Sequence, residues 1–106
     1  MTIEFETPYG KISEKLISKM RNEIMKLSHQ VKNVARAEVM LKEDATIVLS
    51  ENKVCSIKLT IFGDNLVAHA RSQTFNKAAR EAIKDLERKI KQHTESIDEV
   101  TTTIEV

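Results

Sequence analysis

The stretch TFNKAAREAIKDLERKIKQH, residues 74–93, decides the fold because one helical period gives it two opposite faces. Its apolar residues recur at steps of three and four, which places them on one side of an α-helix. They are Phe75, Ala79, Ala82, Ile83, Leu86 and Ile90. At about 100° per residue, five cations fall within a sector of roughly 80° nearly opposite that side. They are Lys77, Arg80, Lys84, Arg88 and Lys91. The stretch predicts a helix that buries one face and presents a basic face to solvent.

A basic face on a single helix is ordinarily just a solvated surface, so a second basic helix decides more. Residues 11–36 carry seven basic and two acidic groups, a net charge of +5. Ser13 is placed to cap a helix there, and the residues after it have helical period. The predicted buried side consists of Ile12, Leu16, Met20, Ile24 and Leu27, with Ile17 and Met25 at its margins. Lys15, Lys19 and Lys26 lie along one flank, which gives the chain a second basic stripe.

Four segments alternate apolar and polar residues as half-buried strands do. They are Thr2–Thr7, Val34–Lys42, Val54–Phe62 and Leu66–Arg71. In the second strand we expect Ala35, Ala37, Val39 and Leu41 to point inward. Between the third and fourth strands, Gly63, Asp64 and Asn65 predict a tight turn. Residues 43–53 fit either a strand that continues past a bulge at Asp44 and Ala45 to a turn at 50–53, or a folded loop.

The element order predicts an α+β fold, a β-α-β-β-β-α two-layer sandwich. Its sheet has four strands, is mostly antiparallel and carries both helices side by side on its one strongly apolar face. The composition, 41% hydrophobic and 31% charged, is that of a soluble globular chain, and 106 residues suffice for one domain. The clustered cations of the two helices can attract phosphate although the net charge is only +1. We expect a cytoplasmic location and no membrane partner, because neither a signal-peptide pattern nor a spanning apolar run is present.

Residues 94–106 carry four acidic groups and no Lys or Arg, so their charge of −4 contrasts with the helices before them. The helical spacing persists weakly through Ile97 and Val100, whereas residues 101–106 predict a tail that is either disordered or paired as an edge strand. We therefore divide the chain into an α+β domain, 1–93, and an acidic helix extension or tail, 94–106.

The sequence offers little for catalysis. His29, His69 and His93 do not have the spacing of metal ligands, and Cys55 lies in an apolar strand pattern typical of a buried thiol. The two glycines are 53 residues apart, so no glycine-rich phosphate loop is present. We expect no enzyme, no cofactor, no metal and no small-molecule substrate.

Nucleic-acid binding, in contrast, matches the two basic stripes, because cations at regular intervals on rigid elements suit the spacing of phosphates. Few exposed aromatic residues are available to stack bases, so recognition of shape and phosphate is favoured over base sequence.

At this point the sequence resembles the ribosome hibernation-promoting factor family, also called ribosome-associated inhibitor or subunit-interface proteins. The resemblance covers roughly residues 2–93. It rests on Ile12-Ser13 followed by Leu16, on the strand-turn-strand run from Phe62 to Ala70, and on Leu86-Glu87-Arg88-Lys89-Ile90 followed by His93.

The resemblance implies a fold similar to a double-stranded-RNA-binding domain, bound to the small ribosomal subunit and its ribosomal RNA. There the two basic helices occupy space needed by messenger and transfer RNA under slow growth or stress. Carried onto this chain, the implied contacts to ribosomal RNA are Lys15, Lys19, Lys26, Lys77, Arg80, Lys84, Arg88 and Lys91. One departure is Asp85, which stands where the family commonly has Lys, and the chain resembles the short form of the family, without a second domain.

Two other functions remain open at the level of the sequence. A protein-interaction or transcription-regulatory module would use the open sheet face, where Val54, Phe62 and Val67 lie among charges. A generic binder of double-stranded RNA would bind free duplexes as well as ribosomes.

Overall fold

The structure is a computed structural model that describes residues 2–8, 12–31, 34–44, 51–61 and 64–105, with the backbone alone described for 95–105. Its elements follow the predicted order. They are β1 (Thr2–Glu6), α1 (Glu14–Ser28), β2 (Val34–Glu43), β3 (Lys53–Ile61), β4 (Asp64–Ser72) and α2 (Phe75–Glu105).

The four strands form one sheet in the order β1-β2-β3-β4. β1 pairs with β2 in parallel, and α1 connects these two strands. The other two neighbouring pairs are antiparallel, so β2, β3 and β4 form a meander. The predicted α+β fold with a mostly antiparallel sheet is confirmed.

The prediction that Ala35 points inward is wrong. The register of β2 against β3 shifts between Val34, which pairs with Ile61, and Arg36, which pairs with Thr60. This irregularity leaves Ala35 exposed, while Val34 packs against the core in its place. From Ala37 onward, buried and more exposed residues alternate as expected. The register shift lies between Val34 and Arg36, so it does not change the facing of the residues that follow it.

The strands at both hairpins end at other residues than the sequence predicts. Asp64 pairs with Ile61 and Asn65 with Thr60, so two of the three predicted turn residues already belong to β4. At the other hairpin Lys53 pairs with Glu43, and the Asp44 N–H donates to the carbonyl of Asn52 at 2.8 Å. The choice between bulge and folded loop falls mostly on residues 45–50, which lie outside the described residues.

The core lies between the two helices and one face of the sheet. α1 contributes Met20 and Ile24, α2 contributes Leu86 and Ile90, and β3 contributes a row that includes Cys55, Ile57 and Leu59; each of these seven side chains is at most 1% exposed. Burying apolar area of this kind gives about 25 cal/mol per Å², which is the main favourable term in folding. Each helix has a single apolar side, so both must share this one face.

Both helices begin with a side-chain cap. The Ser13 hydroxyl accepts a hydrogen bond from the Leu16 N–H at 3.4 Å, and the Thr74 hydroxyl accepts one from the Lys77 N–H at 3.2 Å. α2 then continues well beyond residue 93, to Glu105. Residues 101–105 are therefore helical rather than an edge strand. The division of the chain at residue 93 stays a prediction.

No helix in the described part of the chain is both long enough and apolar enough to cross a membrane.

Candidate nucleic-acid interface

α1 and α2 lie side by side and run in the same direction. Each follows a strand of the same orientation, since β1 and β4 are both parallel to β2. The groove between them is lined from both helices, by residues that include Leu16 and Glu23 of α1 and Asn76 and Glu87 of α2. The predicted adjacency of the two basic helices is confirmed.

All eight cations implied by the resemblance are exposed to solvent. The groove brings three of them together, since Lys19 lines it from α1 while Arg80 and Lys84 line it from α2. Lys91 lines a second hollow, with Gln30 and Thr94. The other four line neither concavity. They are Lys15, Lys26, Lys77 and Arg88.

Most of these cations have no ion-pair partner among the described side chains. The exceptions are Lys26, whose Nζ lies 3.9 Å from Glu23 Oε1, and Arg88, which pairs with Asp85. Elsewhere on the molecule Arg36, Lys53 and Arg71 each pair with a carboxylate. An unpaired cation attracts an external anion without first losing an internal partner, so the helix surface is the better site for phosphate.

The groove has an apolar floor and a charged rim. Leu16, Met20, Ala79 and Ile83 form the floor, and the enclosed volume is about 280 Å³. Besides the three cations, two carboxylates belong to the rim, Glu23 and Glu87. The sequence pattern alone did not indicate that Glu23 and Glu87 belong to a site. The available signal was their spacing, since Glu23 is four residues after Lys19 and Glu87 is three residues after Lys84.

Asp85 ties α2 to the edge strand β4. Its carboxylate accepts a hydrogen bond from the backbone N–H of His69 at 3.3 Å and pairs with Lys89 at 3.2 Å and with Arg88. Partial burial on its own raises the pKa of this carboxyl, but the hydrogen bonds from Lys89, His69 and Arg88 outweigh it and hold the pKa below its ordinary value. These contacts give Asp85 a structural role.

Lys89 completes the same attachment. Its ammonium donates to the carbonyl of Val67 at 2.5 Å, two residues from the N–H that Asp85 accepts. Both backbone groups belong to β4, the last strand of the sheet. The pair thus covers part of an edge that would otherwise offer hydrogen bonds to another strand.

The groups that resemble catalytic residues are not assembled into a reactive site. Ser56 Oγ lies 3.0 Å from His69 Nδ1 on the outer sheet face, but Asp85 contacts the backbone of His69 and not its ring. Burial raises the pKa of the Cys55 thiol to about 12, which opposes a nucleophilic role. Among the described residues, no group of three or more His, Cys, Asp and Glu side chains is arranged to hold a metal ion.

The outer sheet face is less apolar than the sequence suggests. Val54 is only 2% exposed, because its cross-strand neighbours Lys42 and Arg71 flank it with long side chains. Val67 is 49% exposed and lines a shallow hollow with Met40 and Lys58. Phe62, the third apolar residue expected on this face, lies outside the described residues.

Two solved structures share this fold. A ribosomal subunit interface protein from Coxiella burnetii superposes with a TM-score of 0.66 at 17% identity, covering 89% of this chain and 98% of that one. The N-terminal domain of Protein Y from Thermus thermophilus superposes with a TM-score of 0.71 at 15% identity, covering 88% of this chain and 99% of that one. A search of curated protein sequences finds no match.

The family comparison is more specific than the fold. The model of the Sigma 54 modulation protein / S30EA ribosomal protein family matches residues 5–98, nearly the whole of the α+β unit. The match includes α1, residues 75–98 of α2 and all eight exposed cations, and it confirms the family that the sequence resembles. The chain therefore belongs to the Sigma 54 modulation protein / S30EA ribosomal protein family, a family of ribosome-associated proteins.

Proposed function

We propose that this protein silences translation by binding the small ribosomal subunit through α1 and α2 and occupying the channel of messenger and transfer RNA. The observation that carries the proposal is the continuous basic surface of two adjacent helices, in which Lys19, Arg80 and Lys84 meet without internal ion-pair partners among the described residues. Family membership supports a ribosomal partner, as does the likeness of the fold to a ribosomal subunit interface protein.

The proposed mechanism is competitive occlusion and needs no chemical step. Cations on a rigid pair of helices neutralise phosphates of ribosomal RNA, and each neutralised phosphate releases condensed counterions. The buried core holds the two helices in fixed relative positions, so the cations need little reorganisation when they bind. Once bound, the body of the protein excludes the RNAs that initiation requires.

Co-sedimentation with isolated small subunits tests the proposal. We expect saturable binding near one protein per subunit that weakens steeply with salt, because several phosphates are neutralised together. The variant Arg80→Ala/Lys84→Ala should lose at least about ten-fold in affinity, since two charge-assisted contacts disappear.

A matched variant separates the helix surface from the outer sheet face. Lys42→Ala/Lys58→Ala also removes two positive charges, but from the outer sheet face, and this variant should bind small subunits like the wild type. If this variant loses binding while Arg80→Ala/Lys84→Ala retains it, the sheet face is the binding surface. A wild-type protein that stays in the supernatant at low salt would also contradict the proposal.

A further inference from the structure

We propose that the groove between α1 and α2 is a pocket for one unpaired nucleobase that carries an exocyclic amino group. The inference rests on the proposed function and names the part of the RNA that this surface reads. Cations of the rim hold the flanking phosphates, the apolar floor receives a face of the base, and the rim carboxylates accept from its amino group.

The floor of the groove suits a base rather than a phosphate. Ile83 is the partly exposed apolar side chain of this floor, and such a side chain gains by covering the flat face of a base. Proteins that take up an extruded base hold it between aromatic or apolar side chains. The volume of about 280 Å³ is close to the lower end of ligand pockets, which begin at roughly 300 Å³, so the groove admits one base and not a duplex.

The two carboxylates argue for a base most directly. Glu23 and Glu87 would repel phosphate, so a surface made only for backbone binding gains nothing from them. Glu87 has no ion-pair partner among the described side chains, and Glu23 reaches only Lys26, at the long distance of 3.9 Å. A carboxylate accepts hydrogen bonds and cannot donate them, so it pairs with the amino group of cytosine, adenine or guanine.

An already unpaired nucleotide is the expected ligand. Extruding a base from a duplex costs a few kcal/mol, and this cost is smallest where the base is already single-stranded. The floor of the groove is aliphatic and lacks aromatic rings, whose stacking on the base would offset much of the cost of extrusion. A bulge or loop between two helical segments would present the base to the floor and its phosphates to Lys19, Arg80 and Lys84.

Hairpins that differ in one nucleotide test the pocket. The full chain is titrated at one fixed salt concentration against an RNA hairpin whose stem is fully paired and whose loop contains only uracil, and against the same hairpin with a single bulged guanine, adenine, cytosine or uracil in the stem. We expect the three amino-bearing bulges to bind about ten-fold more tightly than the paired hairpin, the effect of one hydrogen bond to a charged group. Uracil, which has no amino group, should lie clearly below them.

Two charge-matched variants identify the carboxylates. Glu23→Gln/Glu87→Gln should weaken the preference for amino-bearing bases, because a neutral amide oxygen accepts a weaker hydrogen bond than a carboxylate does. Glu14→Gln/Glu81→Gln removes one exposed carboxylate from each helix outside the groove and should keep the preference. Both variants gain affinity from the lost negative charge, so the ratio between hairpins is the readout.

The outcomes separate the pocket from the proposed function. Equal affinity for the paired and all bulged hairpins overturns the pocket, even when small subunits still bind and Arg80→Ala/Lys84→Ala still fails. Binding to small subunits without binding to any hairpin overturns it as well. If neither the hairpins nor the small subunits bind, the proposed function itself is wrong and the pocket with it.

Discussion

Asp85 shows how a single side chain joins a helix to the strand beside it. A Lys at this position would place a cation beside Lys89, whereas the carboxylate joins Lys89, Arg88 and the N–H of His69. Its side chain is 17% exposed, so these contacts are screened less than those at the open surface. Arg88 must separate from Asp85 before its full charge is available to a phosphate.

The stabilisation by Asp85 should depend on pH. Because contacts in the folded state lower the pKa below the ordinary value of 3.8, the contribution is complete above that value and is lost as the pH falls through the lower folded pKa. Asp85→Asn keeps an oxygen for the N–H of His69 but loses the charge, which should cost about 1 kcal/mol of unfolding free energy at neutral pH. Urea unfolding of both proteins at neutral and acid pH measures it. A difference that stays constant into acid would contradict this origin.

For single residues, the sequence predicts which side chains are exposed to solvent but not which other residues they contact. Helical spacing places Arg80 and Lys84 on the outer face, and both are exposed. The same spacing puts Asp85 merely between two faces, because it carries no information about β4, the strand that comes to lie beside it. The groove carboxylates Glu23 and Glu87 were missed for the same reason, since they belong to different helices.

Among the elements, α2 depends on the residue that starts it. Thr74 accepts from the N–H of Lys77 with its side chain and from the N–H of Ala78 with its carbonyl, so it closes the first turn. Thr74→Ala should cost about 1 kcal/mol of unfolding free energy, the usual effect of losing an N-terminal cap. Thr74→Ser keeps the hydroxyl and should lose only a few tenths in the same urea titration. Equal losses in the two variants would show that the methyl group, not the cap, stabilises the helix.

Element types could be predicted because each one keeps a single period along its length. The residues at which strands begin and end could not be predicted, because they depend on how neighbouring strands pair. Ala35 is exposed because the register shifts at one residue, and Asp64 and Asn65 pair in β4 because the hairpin closes before them. Neither event changes the local composition, so no pattern within the strand indicates it.

For the whole molecule, charges of opposite sign follow each other along the single helix α2. The helix continues from its basic part into residues 95–105, which include four acids. Glu95 and Asp98 lie about 6 and 10 Å along the axis from Lys91, at a rise of about 1.5 Å per residue. These distances are comparable to the Debye length of about 8 Å at physiological ionic strength, so repulsion from a bound phosphate is only partly screened.

Neutralising these acids should therefore strengthen binding. The variant Glu95→Gln/Asp98→Asn/Glu99→Gln/Glu105→Gln keeps the length of the chain and should raise affinity for small subunits a few-fold at low salt. The gain should shrink as salt increases, which co-sedimentation across a salt series measures. A gain that persists unchanged at high salt would point to a change in folding rather than to charge.

The two-layer arrangement of helices and sheet could be predicted, but the groove between the helices could not. Each helix has one apolar side and the sheet has one apolar face, so both helices must pack on that face. The depth of the groove depends on which side chains meet where the helices approach, and the small side chain of Ala79 lines the groove together with Leu16 and Met20. These residues of the two helices are about 60 positions apart in the sequence, so no local period indicates that they meet.

The parallel direction of α1 and α2 gives the surface an electrical polarity. Peptide dipoles leave about half a positive charge at the start of each helix and half a negative charge at its end, and both starts lie at the same end of the sheet because both helices follow parallel strands. We therefore expect the potential to decline from the starts of the helices toward the end of α1 and the acidic last part of α2. An approaching polyanion is drawn first to one end of the molecule and then settles along the groove, so its orientation is biased before any specific contact forms.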